Sequence, residues 1–136
     1  MPLLQLNLTD VKLTIPQRNT VLAGLTERMA SILGKRADLT VVNITQSDSG
    51  QWSLGGQSLG GQGWCASLTV HITAGTNTAE EQSSFIASAF ALLQEVLGAP
   101  PAAPVYIIVN EIAACSWGYD GRTQLSRRQA PTIPTV

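Results

Sequence analysis

The sequence predicts an α+β fold in which two copies of a β-α-β unit build one four-stranded mixed sheet with both helices on a single face. Three observations carry this. A shift of 64 residues brings Thr14-Ile15-Pro16-Gln17 onto Thr78-Ala79-Glu80-Glu81, and each tetrapeptide is a capping box, a threonine followed three residues later by Gln or Glu. Helical apolar periodicity follows both boxes. Strict apolar–polar alternation precedes both, which is the period of a strand with one buried face.

In chain order, Pro2, Leu4, Leu6 and Leu8 alternate with Gln5, Asn7 and Thr9 and form the first strand. Val21, Leu22, Leu25, Met29, Ile32 and Leu33 recur at three- and four-residue steps and form the first helix, which ends at Gly34. Residues 39–45 read as the second strand. The connector 46–63 holds Trp52, Leu54, Gly55-Gly56 and Gly60-Gly61, glycine turns around a short extra strand. The second copy repeats the order. Ala66, Leu68, Val70 and Ile72 alternate with Thr69, His71 and Thr73. Phe85, Ile86, Ala89, Leu93, Val96 and Leu97 line a helix ending at Gly98, and residues 103–109 form its second strand. The pseudo-repeats are thus 2–46 and 66–110 within one domain of residues 1–124. Trp117-Gly118-Tyr119 marks another short strand, and residues 125–136 are expected to form a loose tail.

Right-handed crossovers place both helices on one face of the sheet. The other face carries Gln5, Asn7, Thr9, Thr69, His71 and Thr73, too polar for a dry core. The chain is 44% hydrophobic but only 12% charged, about half the usual level. An oligomer whose sheets surround a polar centre reconciles the two. His71 is then a hydrogen-bonded histidine of that face, with no neighbours at metal-ligand spacing. A net charge of −1 excludes a broad electrostatic footprint for nucleic acid or anionic membrane. No apolar run reaches the roughly 18 residues of a membrane span, and no secretion signal opens the chain. The two cysteines, Cys65 and Cys115, imply no disulfide framework, and a cytoplasmic location is expected.

Met1-Pro2 opening a duplicated β-α-β chain resembles the tautomerase superfamily, which includes macrophage migration inhibitory factor, 4-oxalocrotonate tautomerase, 5-carboxymethyl-2-hydroxymuconate isomerase and malonate semialdehyde decarboxylase. The local likeness to the migration inhibitory factor group lies in Leu54-Gly55-Gly56, Cys65-Ala66 with His71 downstream, Gly34-Lys35, and Val105-Tyr106-Ile107 leading to Trp117-Gly118-Tyr119. Ile72-Thr73-Ala74-Gly75 is similar to the hydroxymuconate isomerase pattern. The resemblance spans about residues 2–123. It implies a homotrimer with sites at subunit boundaries and a cofactor-independent keto–enol tautomerase or isomerase acting on a small α-keto acid or unsaturated dicarboxylate.

Pro2 is the catalytic candidate. With Met1 removed it is a terminal secondary amine, whose reference pKa near 7.7–8.0 burial would lower, giving a free base suited to proton abstraction beside a carbonyl. The resemblance assigns substrate binding to Lys35 after the first helix, to Lys12 in the position of an oxalocrotonate-group arginine, to Tyr106 reached from an adjacent subunit, and to the main chain around Thr73. Arg36 is a further cation beside Lys35. Ile108 stands where the migration inhibitory factor group has a substrate-binding asparagine, so one donor is missing. The loop 74–77 has none of the arginines of the decarboxylase and dehalogenase branches, and Leu68 occupies the second position of a Cys-x-x-Cys. The alternatives are a non-catalytic trimeric binding or signalling module of the same fold, or a malonate semialdehyde decarboxylase- or hydratase-like enzyme.

Overall fold

The computed structural model describes residues 1–9 and 12–129 of the 136. Strand β1 (Leu3–Thr9) leads to helix α1 (Ile15–Ser31) and strand β2 (Val41–Ser47). The second unit is strand β5 (Ala66–Thr73), helix α2 (Ala79–Leu97) and strand β6 (Tyr106–Ile112). Two hairpins interrupt the duplication: β3 (Ser53–Leu54) with β4 (Gln57–Ser58), and β7 (Gly118–Tyr119) with β8 (Arg122–Thr123). A short helix α3 (Gln124–Gln129) closes the described chain.

Both long helices begin as the sequence predicts. Thr14 and Thr78 accept from the backbone N–H of Gln17 and Glu81, whose side chains in turn accept from the threonine N–H groups. The sheet order is β2-β1-β5-β6, parallel within each unit and antiparallel where β1 meets β5. One face buries Leu4, Leu6, Leu8, Leu68, Val70 and Ile72 against Val21, Leu25 and Met29 of α1 and Phe85, Ala89 and Leu93 of α2. Leu92 also turns inward, whereas Ile86, expected inside, is 38% exposed. The helices approach closely there: a Cβ on Gly24 would lie 2.8 Å from the Leu92 methyl.

The second strands start later than predicted, at Val41 and Tyr106. A short 3₁₀ turn, Ala37–Leu39, takes up the first stretch, and Pro104, which has no N–H to give a ladder, precedes the second. The turns of both hairpins, Gly55-Gly56 and Asp120-Gly121, have positive φ at both central positions, the geometry of tight two-residue connections. The expected loose tail from residue 125 gives way to α3 as far as Gln129. Thr123 Oγ1 accepts from the Ser126 N–H, and the Gln124 and Leu125 N–H groups donate to the Trp117 and Ala114 carbonyls. The remainder of that stretch, residues 130–136, lies outside the described residues. No helix among the described residues is long and apolar enough to cross a membrane.

The open sheet face carries rows of polar side chains. His71 Nδ1 accepts from Asn110 Nδ2 at 3.2 Å, which leaves Nε2–H to donate to Gln5 Oε1 at 3.0 Å. Thr9 and Thr73, predicted on this face, are buried: Thr9 Oγ1 exchanges hydrogen bonds with the Cys65 backbone, and Thr73 Oγ1 accepts from Trp117 Nε1.

Phe85 is fully buried. Phe85→Ala is expected to cost about 3–5 kcal/mol in urea unfolding, whereas Ile15→Ala, at a residue 70% exposed, should stay within about 0.5 kcal/mol.

Candidate active site

Strand directions decide what meets Pro2. Because β5 runs antiparallel to β1, the start of β1 lies level with the end of β5; Leu3 pairs with His71. β6 is parallel to β5, so its end, and the hairpin and α3 that follow, reach the same edge. Helix α1 returns toward that edge before β2 starts beside Leu3. Pro2, Lys35, Thr73 and α3 are therefore gathered at one end of the sheet.

They line a cavity of about 310 Å³ with Met1, Ile72 and Thr76; α3 contributes Gln124, Arg127 and Arg128. Pro2 is buried, and its carbonyl accepts from the Val41 N–H at 3.2 Å. It also borders a smaller apolar cavity of about 140 Å³ with Leu3, Val41, Trp117 and Tyr119.

Lys35 is held by its neighbours. The end of α1 wraps so that the Lys35 N–H donates to the Met29 carbonyl, and Asn77 Nδ2 donates to the Leu33 carbonyl, joining the loop before α2 to the end of α1. Lys35 Nζ donates to Thr76 Oγ1 at 2.8 Å, and that hydroxyl donates to the Thr73 carbonyl at 2.6 Å. Desolvation pulls the Lys35 pKa below its ordinary value; the Glu81 charge opposes this and the Arg128 charge adds to it. The terminal amine of Met1 is lowered too, first by burial and then by Lys35.

The other predicted residues lie elsewhere in the protomer. Lys12 is exposed beyond the opposite end of β1. Tyr106 is 68% exposed and starts β6 level with Ser67, four positions from Asn110, about 13 Å along the sheet. Ile108 is 48% exposed beside Thr69. Arg36 turns outward in a forked pair with Asp38, at 2.7 and 3.2 Å. Sequence reasoning missed Gln124, Arg127 and Arg128. The signal was the Arg127-Arg128 pair, two of the eight lysines and arginines of the chain, in a segment read as tail. Among the described residues no three His, Cys, Asp or Glu side chains come together as a metal site.

No family model matches the sequence. The probable tautomerase K2 of Dickeya dadantii (strain 3937) is 32% identical over 59 residues, which take in 43% of this chain and 88% of the relative. The chain belongs to the tautomerase superfamily. The match sets nearly a whole tautomerase against less than half of this chain, in keeping with a duplicated unit. Among solved structures, native fused 4-OT superposes with a TM-score of 0.78 at 21% identity, over 90% of this chain and 96% of that one. A fused 4-OT wild type symmetric trimer gives 0.79 at 16%, over 92% and 98%. The macrophage migration inhibitory factor-like protein of Entamoeba histolytica gives 0.71 at 17%, over 90% and 97%. At these identities the structural likenesses speak for the fold, which is that of tautomerases.

Lys35 is one of the two causes that depress the terminal amine. Lys35→Gln is expected to raise that amine's pKa toward, but not to, its ordinary value, because burial, the larger cause, remains. NMR titration of the dimethylated α-amine would show the rise; an unchanged midpoint would refute the coupling.

Proposed function

We propose that this tautomerase superfamily member is a cofactor-independent keto–enol tautomerase of small α-keto acids or unsaturated dicarboxylates, with Pro2 as its base once Met1 has been removed. The observation that carries the reading is the buried Pro2 on the wall of a cavity it shares with Lys35. While Met1 is attached, the Pro2 nitrogen is an amide, its lone pair delocalised and not basic. Removal leaves a secondary amine about 3.8 Å further along the chain, in surroundings that already favour the neutral form of an amine.

In the proposed reaction the neutral amine takes a proton from the substrate carbon next to the carbonyl. The C–H pair moves into a new C=C bond and the carbonyl oxygen gains negative charge. The ammonium then returns its proton to the substrate at a different atom, so that one proton leaves and one arrives. Lys35 holds the substrate carboxylate, oriented by Thr76, and the Thr73 main chain lies beside it. Loss of Met1 also removes the carbonyl that accepts from Gln124 Nε2 at 3.3 Å, which leaves an amide donor where an enolate oxygen needs one.

Lys12, Tyr106 and Ile108 enter this reading through assembly. A homotrimer is supported by the unpartnered open sheet face, where Val41, Tyr106 and Ile108 are exposed, and by structural neighbours that are trimers, the fused 4-OT wild type symmetric trimer among them. In such an assembly a neighbouring subunit brings Tyr106 toward the Pro2 cavity, and Ile108 offers an apolar wall there. Lys12 is the remaining cation available from another subunit.

Met1-free protein is expected to ketonise the enols of phenylpyruvate or 2-hydroxymuconate. Pro2→Ala, or a chain with Met1 retained, should lose about 10²–10⁴-fold in kcat/KM; full activity in either would sink the mechanism. Because the base works unprotonated, kcat/KM should rise with pH through the depressed amine pKa, and the rise should move to higher pH in Lys35→Gln. Light scattering should give three times the 14.4 kDa of one chain; a monomer at micromolar concentration would contradict the assembly.

A further inference from the structure

Three of the eight lysines and arginines, Lys35, Arg127 and Arg128, line the Pro2 cavity, and none of the described residues lining it is acidic. The ion pairs among the described residues use other cations, Arg28 with Glu27 and Arg36 with Asp38. Arg127 is the most firmly held of the three. Its guanidinium stacks on the Tyr119 ring, 3.7 Å from the centroid, and Nη2 donates to the Tyr119 carbonyl at 2.9 Å. Its Nε is buried and has no hydrogen-bond partner among the described residues. A guanidinium is always charged, and no described residue lining the cavity supplies a carboxylate to balance it. Fixing the fork on an aromatic face reduces the entropy lost when a carboxylate arrives. Lys35 serves one carboxylate, so a rigid, uncompensated arginine in the same cavity has a second anionic group to receive.

We propose that Arg127, presented by α3, is a specificity-determining residue of this cavity: it binds a second anionic group of the substrate, alongside the one at Lys35, so that the site selects dianions over monoanions. The inference rests on the assignment of the Pro2–Lys35 cavity as the substrate site. Tyr119 is the positioning residue, since its ring and carbonyl set the direction of the fork. Arg128 adds to the positive potential, with no hydrogen-bond or ion-pair partner among the described residues.

Equilibrium binding tests this without turnover. Calorimetry would compare fumarate, a dianion, with crotonate, the same skeleton with a methyl group in place of one carboxylate. The intact chain should bind fumarate at least about tenfold more tightly than crotonate, the worth of one charge-assisted contact. Arg127→Ala should abolish that preference and leave crotonate within about twofold, because Lys35 remains. Arg127→Lys should restore part of the preference, since the charge is kept and the fork is lost. Lys35→Ala should weaken both ligands. An Arg127→Ala chain that keeps the preference overturns the proposal, as does equal weakening of both ligands in both Arg127 variants, which would make the residue merely an anchor of α3. If Lys35→Ala weakens both ligands while Arg127→Ala leaves the preference intact, the cavity assignment stands and only the arginine's role falls. If neither ligand binds the intact chain, the cavity assignment falls with it.

Discussion

The antiparallel pairing of β1 with β5 is the constraint on which the remaining structure depends. Within each unit the strands are parallel, and a parallel pair sends its crossover helix back to the end from which it started. Joining the two units head to tail across β1 and β5 makes the beginning of one unit coincide with the finish of the other. Pro2 therefore meets Thr73, the turn before α2 and everything that follows β6. With β1 parallel to β5, Pro2 would have faced the start of β5 and the connector instead. The alternation of Leu4, Leu6 and Leu8 with Gln5 and Asn7 secures this register, because a slip of one residue would turn the leucines away from the helices.

Charge is scarce in this chain, and its distribution is uneven. Glu81 acts on Lys35 from a distance, yet no carboxylate among the described residues lines the cavity. Burial lowers the pKa of both amines there, and repulsion by a neighbouring cation adds to it, Arg128 for Lys35 and Lys35 for the terminal amine. An anion entering the cavity relieves that repulsion, and the attraction is felt in a partly desolvated space where it is screened less than on the surface.

The fold was readable because its signals are local and repeated. Thr14 with Gln17 and Thr78 with Glu81 mark both helix starts, and a copy 64 residues away corroborates each element. Pro2 and Lys35, which share a cavity wall, stand out in the sequence because one is the second residue of the chain and the other is one of only two lysines. The α3 residues were not. Six residues carry too little periodicity to announce a helix, and Gln124–Gln129 is held by tertiary partners: the Trp117 and Ala114 carbonyls, the Thr123 hydroxyl and the Tyr119 ring. The late starts of β2 and β6 escaped too, since apolar residues at 39 and 103 continue the pattern into segments that join no strand ladder among the described residues. Lys12, Tyr106 and Ile108 are exposed and lie away from the Pro2 cavity within one chain.

The duplication is faithful in its backbone and unfaithful at its tips. The counterparts of Pro2 and Lys35 in the second unit are Ala66 and Ala99. Joining two units end to end makes the first residue of the second an ordinary link in the chain, so its nitrogen can never be an amine. Fusion thus rules out an amine at the start of the second unit by covalent necessity, before any side chain changes. Of the two equivalent strand starts, the second is therefore confined to an architectural part.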